Sequence, residues 1–521
     1  MPRFFNTAGP CRPGDHYMLP PERRLPTIRR LIEDKLYFVV HAPRQTGKTT
    51  SLRTLAQALT AEGRFAALHA SCESGAAAGS NIEAGVSAVL RSLERQAEVL
   101  PAELRPLPVD HFSTIYAESR LTAYLTRWCE RSTLPVVLFL DEIDALIDAT
   151  LLSVLRQLRE GYPDRPDRFP QSLALIGLRD VRDYKIHTRP EATSLGTSSP
   201  FNVKVESLTL RNFTAEEVAE LYGQHGEETG QVFAPEACER AWELTHGQPW
   251  LVNALARQAV EGTLPDRSQP ITPDQVEQAK EALILRRDTH LDSLVDRLRE
   301  PRVQRVIEPI LAGELLAPDT LADDLQFCLD LGLVASAPTG LEIANPIYRE
   351  VIPRALAWVV QDTLPLARTS FLKADGDLDF DRLLTEFRAF WCEHAEHYLE
   401  RQPYSEAAAQ LVFMAYLQRV VNGGGQIERE YGVGRGRIDL HIRWPHRTGT
   451  KRWAIELKVR RGTTDPRSAG LEQLGGYLDR LGLDRGTLVI FDARADAPPL
   501  PERAGVEVIS DRGRMITVMR L

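Results

Sequence analysis

The alternation of apolar and polar residues divides the chain into a strand-and-helix series, a helical stretch and a second strand-and-helix series. A Pro-rich lead over 2–26, which reads as a surface arm carrying His16 and Tyr17, runs into a helix near Leu25–Asp34. An apolar strand, Lys35–His41, follows. After Gly47-Lys48-Thr49-Thr50 a helix continues to about Glu62, where Gly63 ends it. A second strand is predicted over Arg64–Ala70, a Pro-punctuated loop over 101–108 and a helix near Ser113–Arg131. Leu134–Leu140 and Ser172–Gly177 are apolar at almost every position, as parallel strands buried on both faces are, and a helix over Ala149–Gly161 separates them. Strands alternating with helices imply a parallel sheet covered on both sides.

From about 208 to 300 the periodicity is helical, over Thr214–Tyr222, Pro235–Leu244, Pro249–Glu261 and Pro273–Asp296. Residues 301–358 predict two helices, a strand at Leu333–Ser336, a Pro-Thr-Gly turn, a strand at Leu341–Ala344 and another helix. Helices followed by a small hairpin are the pattern of a winged helix. A polar stretch over 363–380 reads as a linker. From 381 the order helix, helix, strand, strand, helix, strand predicts a separate α/β domain.

The composition is that of a globular protein: 43% of the 521 residues are hydrophobic and 26% charged. A net charge of -9 excludes a polycation that coats nucleic acid indiscriminately, so any such contact needs a local basic patch. No apolar run reaches the ~18 residues of a membrane span. The first residues, broken by Pro, Gly and charge, lack a signal-peptide core, so a cytoplasmic location and no membrane partner are expected. Six scattered cysteines without a CxxC pair read as reduced thiols. Cys392 and His397 would stand ~140° apart on a helix at about 100° per residue, too far around to share a metal.

Ala42-Pro43-Arg44-Gln45-Thr46-Gly47-Lys48-Thr49 lies between a strand and a helix, the context in which GxxxxGK[ST] forms a phosphate loop. Backbone N–H groups at the helix start cradle a phosphate there. Lys48 would neutralise the β- and γ-phosphates, the Thr49 hydroxyl would ligate Mg²⁺, and Thr50 would continue the loop into the helix. Ala42 stands where the pattern has its first glycine, and its methyl fits if its φ is negative. The apolar strand ending in Asp141-Glu142 supplies the second half of such a site: Asp141 to hold the metal's water shell, Glu142 to orient or deprotonate the attacking water. An ATP site with Mg²⁺ is expected.

Over residues 20–355 the chain resembles AAA+-related ATPases of the STAND and archaeal-ATPase type. The resemblance rests on the two motifs above together with Asp141-Glu-Ile-Asp144, Gly177-Leu-Arg179-Asp180 and Gly247-Gln248-Pro249. It implies a helical lid whose Gly247 and Pro249 line the nucleotide, Arg179 or Asp180 as γ-phosphate sensor, and a winged helix after the lid. Arg156 and Arg159 are candidates for an arginine finger or for a solvated helix face. The family also implies a homo-oligomer promoted by ATP.

In the C-terminal part, Arg437–Trp444 alternates as a strand containing Asp439, and Arg452–Val459 alternates as a second strand. Glu456 and Lys458 are two apart, so both project from one face, and Asp439 meets them if the strands pair. Two carboxylates that share a metal, with a lysine beside them, suit phosphodiester hydrolysis. Asp439 and Glu456 would bind Mg²⁺, with Mn²⁺ as a substitute, and Lys458 would offset phosphate charge or position water. The competing reading is the solvated face of an edge strand. Between Glu428 and Arg461 ten Lys/Arg stand against four Asp/Glu, with Trp444 and Trp453 interleaved, a local footprint for nucleic acid.

Over 385–495 the order of elements resembles the PD-(D/E)XK nuclease superfamily, in particular members with a Gln-x3-Tyr helix. This resemblance implies a restriction-endonuclease-like fold with Asp439, Glu456 and Lys458 as the catalytic set. Glu406 would be an assisting helix carboxylate, and Gln473 and Tyr477 would orient substrate phosphate or metal water. The expected α/β chain is then a P-loop NTPase core with its arm over 1–207, a helical lid over 208–300, a winged helix over 301–362, a linker over 363–380 and a nuclease-like domain over 381–521. The expected activity is ATP-regulated or ATP-powered cleavage of nucleic acid, DNA in the first instance, in prokaryotic defence or mobile-element biology. The rival is a non-cleaving, ATP-dependent switch that binds DNA or a partner protein.

Overall fold

The computed structural model describes every residue except 1, 179–202, 287–293, 313–321, 338–339, 364–370, 401–407, 422–424, 434–435, 448 and 495. The chain separates into two compact units, Met1–Arg286 with Phe327–Leu333, and Arg287–Gln326 with Val334–Leu521.

The first unit is built on five strands: β1 (Tyr37–His41), β2 (Ala66–Ser71), β3 (Val136–Asp141), β4 (Ser172–Gly177) and β5 (Lys204–Thr209). They pair in parallel in the order β2-β3-β4-β1-β5. In β1, Tyr37 and Val39 enter the core on one side of the sheet, and Phe38 and Val40 enter the core on the other. A strand's two-residue period with both faces covered requires this, and it explains the unbroken apolar runs. Helices α1 (Ile28–Glu33) and α2 (Lys48–Ala61) cover one side with Ile28, Leu31, Ile32, Leu52, Leu55 and Leu59. Helices α3 (Ile82–Gln96), α4 (Ala117–Arg131) and α5 (Asp148–Glu160) cover the other. Four of the five strands coincide with predicted ones to within two residues. β5 was not expected, because Lys-Val-Glu-Ser-Leu-Thr mixes polar and apolar residues; as a sheet edge with Val205 exposed, it needs no continuous apolar run.

Four helices follow. α6 (Ala215–Thr229) begins with a capping box in which Thr214 and Glu217 satisfy each other's backbone N–H. α7 (Pro235–Thr245) and α8 (Pro249–Arg257) both carry Pro in the first turn, α8 passes into a π turn at Gln258–Thr263, and α9 (Pro273–Arg286) ends the series. The Pro-rich lead is no free surface arm. Phe5 and Tyr17 are buried, Phe5 stacks against Tyr17, Tyr222 and Phe233, and Arg3 pairs with Glu228. Two aromatic residues close to the chain start supply the apolar area that anchors it.

The second unit opens with α10 (Pro301–Ala312); the division between units passes through α11 (Ala322–Asp330). The predicted hairpin is present as β6 (Val334–Ala337) and β7 (Gly340–Ile343), followed by α12 (Pro346–Thr363). Residues 371–379, expected as linker, form a tight turn held to the sheet beyond it: Lys373 N–H donates to Asp377 O at 2.7 Å, Trp444 Nε1 to Gly376 O at 3.1 Å, and Lys451 pairs with Asp377. Then come α13 (Phe380–Glu400), α14 (Ala408–Val421), β8 (Gln426–Val433), β9 (Gly436–His446), β10 (Gly449–Arg460), α15 (Arg467–Leu481), β11 (Arg485–Asp492), α16 (Leu500–Arg503), β12 (Gly505–Asp511) and β13 (Arg514–Arg520). The sheet is mixed, in the order β12-β13-β11-β10-β9-β8, with β8, β9 and β10 antiparallel and β11 parallel to both β10 and β13.

Trp128 is fully buried on α4, and its indole N–H donates to Leu104 O at 2.8 Å. Trp128→Ala removes both the packing and the partner of that carbonyl, so it should cost about 3–5 kcal/mol in chemical denaturation of the chain.

Candidate functional site

β1 ends at His41, and the chain turns into α2 within six residues. Gln45 and Gly47 take left-handed φ angles of 58° and 84°, and Thr46 Oγ1 donates to Pro43 O at 2.8 Å. Ala42 is not among the left-handed residues, so its methyl is accommodated. Lys48 folds over this loop and donates to the carbonyls of Ala42 at 2.6 Å and Pro43 at 2.8 Å. Burial lowers its pKa to about 8, against the opposing pull of Asp141 and Asp144. The first-turn N–H groups of α2 lack intrahelical partners at the same place, which makes the loop receptive to an anion.

Parallel pairing puts Asp141, the last residue of β3, beside Ser71 of β2. Asp141 Oδ2 accepts from Thr49 Oγ1 at 2.6 Å and lies 3.0 Å from His69 Nε2; its Oδ1 accepts from Glu142 N–H at 2.9 Å. Burial pushes the carboxyl up, but His69, Thr49 and the Glu142 N–H outweigh it and hold it below the ordinary aspartate value. Glu142 turns the chain with a left-handed φ of 54°, and its carboxylate accepts from the Ser71 hydroxyl. Burial raises the Glu142 carboxyl, helped by Asp141 and opposed by Ser71, which makes it a better proton acceptor.

A cleft of about 600 Å³ opens over these groups. Arg44, Gln45, Gly47, Lys48, Thr49 and Thr50 form its floor with Asp141, Glu142 and Asp144. Pro249, Trp250 and Asn253 of α8 form one wall, and Asn6, Thr7 and Gly9 to Cys11 of the arm another. The arm is tied on both sides: Cys11 N–H donates to Thr50 Oγ1 at 3.0 Å, and Trp250 Nε1 donates to Thr7 O at 2.9 Å. His16 and Tyr17 are not at the cleft. Tyr17 OH lies 3.2 Å from His225 Nδ1, inside the helical part.

Ala42, Pro43 and Thr46 shape the loop without lining the cleft, and Gly247 does not line it either. Its φ is 69°, and a Cβ there would stand 1.9 Å from Phe213 O, so Gly247 allows a backbone crossing that aims α8 at the cleft. Gln248 caps α8 through Leu251 N–H at 2.6 Å. Arg156 and Arg159 are exposed on α5, and Arg179 and Asp180 lie outside the described residues. Sequence reasoning missed His69 and Ser71, which carry no motif; the only signal is two polar residues two apart in an otherwise apolar strand.

The second cluster forms where β9, β10 and α15 meet. The register pairs Ile455 with Leu440, which sets Asp439 beside Glu456. Asp439 Oδ2 accepts from Leu457 N–H at 2.7 Å. Lys458 Nζ donates to Glu456 Oε1 at 2.6 Å and to Gln473 Oε1 at 3.0 Å, and Gln473 Nε2 donates to the Tyr477 hydroxyl at 3.0 Å. A helix this close requires Gly470, whose Cβ would meet Leu488 at 2.7 Å. β10 lies inside the sheet with Glu456 0% exposed, so the reading as a solvated edge strand fails. Glu456 Oε2 is buried without a hydrogen-bond partner, and burial, then Asp439, push the carboxyl up to about 8 against Lys458. Glu406 lies outside the described residues. The tryptophans of the basic stretch are not free to stack: Trp444 is buried, and the Trp453 ring sits 5.5 Å from that of Phe380. Arg443, Arg447, Arg452 and Arg461 are exposed.

An acid whose folded pKa is raised holds its proton when the unfolded chain has lost it, so its stabilising effect is complete below the unfolded value of 4.5 and lost as pH rises through about 8. Glu456→Gln should therefore make the metal-free chain more stable than wild type at pH 9 and nearly equal to it at pH 4.5, read by urea unfolding at the two pH values. Gly247→Ala combines a strained left-handed backbone angle with the Phe213 collision. It should lower stability by more than about 1 kcal/mol and weaken nucleotide binding measured by fluorescence titration, because α8 is re-aimed.

Comparison with known proteins bears on both clusters. Residues 30–184 match the family described as AAA domain, and residues 404–484 match the PD-(D/E)XK nuclease superfamily. No curated protein matches the chain significantly. Among solved structures, the chain is similar to the Walker-type ATPase PABY2304 of Pyrococcus abyssi, with 15% identity over 67% of this chain and 99% of the other, at a TM-score of 0.47. It is also similar to the Aeropyrum pernix ORC2 protein, with 15% identity, 66% and 92% coverage and a TM-score of 0.37. The Thermotoga maritima RuvB Holliday junction branch migration motor gives 17% identity, 63% and 92% coverage and a TM-score of 0.34. The chain thus carries an AAA domain of P-loop ATPase fold and, C-terminal to it, a domain of the PD-(D/E)XK nuclease superfamily.

Proposed function

We propose that this protein is a nucleotide-controlled nuclease, in which ATP bound and hydrolysed in the AAA domain licenses or powers cleavage of nucleic acid, DNA in the first instance, by the C-terminal domain. The observation that carries the reading is that one chain brings together two side-chain sets: Lys48, Thr49, Asp141 and Glu142 around one cleft, and Asp439, Glu456, Lys458 and Gln473 in one cluster. The finer division into lid (208–300), winged helix (301–362) and nuclease-like domain (381–521), and the STAND-type assignment, belong to this proposal. So does a role in defence or mobile-element biology.

In the first site Lys48 exchanges the loop carbonyls for phosphate oxygens, a swap that gives the buried ammonium an anionic partner. Thr49 and Asp141 are the residues that would hold Mg²⁺, which shields phosphate charge when bound. Glu142, released from Ser71, orients and deprotonates the attacking water. Pro249, Trp250 and the arm exclude bulk water from the cleft. In the second site the donor set fits a divalent ion: two adjacent carboxylates, one with a buried oxygen that no protein group satisfies. Asp439 and Glu456 would hold Mg²⁺ or Mn²⁺, which would supply Lewis-acid activation of water and charge shielding at the phosphate. Lys458 carries positive charge to the scissile phosphate, Gln473 holds Lys458 in place, and Tyr477 holds Gln473. The exposed arginines of β9 and β10 and of the chain just after β10 would meet phosphates first.

Wild type with Mg²⁺ or Mn²⁺ should cut linear, circular or single-stranded DNA in an ATP-dependent manner. Lys458→Ala should lose at least about 100-fold in cleavage rate, and Lys48→Ala should lose the ATP effect. Cleavage that ignores both ATP and Lys48 would leave two merely tethered activities. DNA binding with no nicking by a folded wild type would favour the non-cleaving switch.

Glu142→Gln should cut steady-state ATP hydrolysis at least about 100-fold while retaining ATP binding. Light scattering of that variant should show an oligomer with ATP that is absent without it; a monomer in both conditions would refute ATP-promoted assembly.

A further inference from the structure

β2 is the edge of the five-stranded sheet. In a parallel pair, one residue sends its N–H and C=O to the partner strand and the next sends both the other way. Ala66 N–H donates to Pro135 O and Cys72 N–H to Asp141 O, so Ala67, His69 and Ser71 present their backbone groups outward. Ala67 is covered by the protein itself at both groups, and Ser71 at its carbonyl alone. Thr60 Oγ1 satisfies Ala67 N–H at 3.0 Å and donates to Ala67 O at 3.2 Å, and Ser92 Oγ donates to Ser71 O at 2.7 Å. His69 N–H and C=O, between them, have no partner among the described residues.

They open onto a hollow of about 270 Å³ between the C-terminal half of α2 and the end of α3. Ala56 and Leu100 make its walls apolar, while Arg53, Gln57 and Gln96 line it with polar groups. Arg53 makes no ion pair among the described residues. The His69 side chain also lines the hollow and is only 9% exposed. Its Nε2 is on Asp141 Oδ2 at 3.0 Å, and its other ring nitrogen has no hydrogen-bond partner among the described residues. Backbone groups at an apolar wall gain most from a ligand that satisfies both together.

We propose that this hollow binds a small ligand whose planar edge sets a hydrogen-bond donor beside an acceptor, as an amide or a nucleobase does, with an anionic group for Arg53. Its occupancy reaches the ATP site through His69. The ligand's donor pairs with His69 C=O and its acceptor with His69 N–H; the Gln57 and Gln96 amides offer the same complementary chemistry at the rim. A His69 drawn toward the ligand loosens its hold on Asp141 Oδ2, the atom that Thr49 also holds. The coupling rests on the reading of Asp141 as the metal's anchor. Linkage makes it reciprocal, so the ligand and Mg²⁺ each alter the other's affinity.

Two probes separate the sources of this chemistry: succinamate, a primary amide with a carboxylate, and uridine 5′-monophosphate, a nucleobase with a phosphate. Calorimetry on the full chain carrying Lys48→Ala keeps the phosphate loop from taking either. One probe should bind at millimolar concentration, and binding should weaken at least about tenfold when Ala61→Trp or Gln57→Trp, both exposed positions, fills the hollow. Binding of neither probe, or undiminished binding in both tryptophan variants, overturns the site. With Lys48 intact, the bound probe should shift the Mg²⁺ concentration needed for half-maximal ATP binding at least about threefold. His69→Phe should abolish that shift yet keep the probe, since the backbone does the pairing. An unchanged Mg²⁺ requirement with the probe bound overturns the coupling. A chain that binds the probe but no MgATP refutes the nucleotide reading, and the coupling with it, while the pocket stands.

Discussion

Asp141 is 1% exposed at the end of a strand whose six residues are all buried, and it accepts from Thr49 and Glu142 while touching His69. Those partners hold the carboxylate below the ordinary aspartate value against the upward push of burial. The partners come from three elements: the first turn of α2, strand β2 and the turn after β3. Their positions are therefore fixed relative to one another by one buried charge. The loop before α2, the Glu142 carboxylate and the sheet edge all refer to this point.

The C-terminal cluster uses the same economy in a different form. Glu456 sits fully buried between two strands, with one oxygen on Lys458 and the other unsatisfied. An orphaned buried oxygen is unfavourable by about 1–3 kcal/mol in the metal-free chain. The sheet and α15 thus hold this oxygen away from water at the expense of stability. Gln473 and Tyr477 extend the network onto α15, which sits close because Gly470 carries no side chain.

The arm changes the character of the first site. Its residues form a wall of the cleft, pinned at Thr50 by Cys11 and at α8 by Thr7. The segment is thereby tied both to the first turn of α2 and to the helical part. Pro and Gly keep residues 9 to 14 out of any helix or strand, and the aromatics on either side do the anchoring.

Much of this was legible in the chain. The phosphate loop needs a turn of fixed length between strand and helix, and a strand buried on both faces must be apolar throughout, so Lys48, Thr49 and Asp141 could be found from spacing alone. The two-residue period placed Glu456 and Lys458 on one face, and the strand order made Asp439 their neighbour once the hairpin paired. Other features depend on which atoms meet across long separations. His69 and Ser71 became part of the first site only when β2 paired with β3. The arm became a wall only when Phe5 and Tyr17 found the aromatic residues near 222 and 233. Gly247 proved to serve a backbone crossing with Phe213. Glu456 lies in a sheet interior and not on a solvated edge because β11, more than 25 residues later, returns to pair beside it. Local pattern records the period of an element and the chemistry of a turn, but burial and partnership are properties of the whole pairing, and only the folded chain decides them.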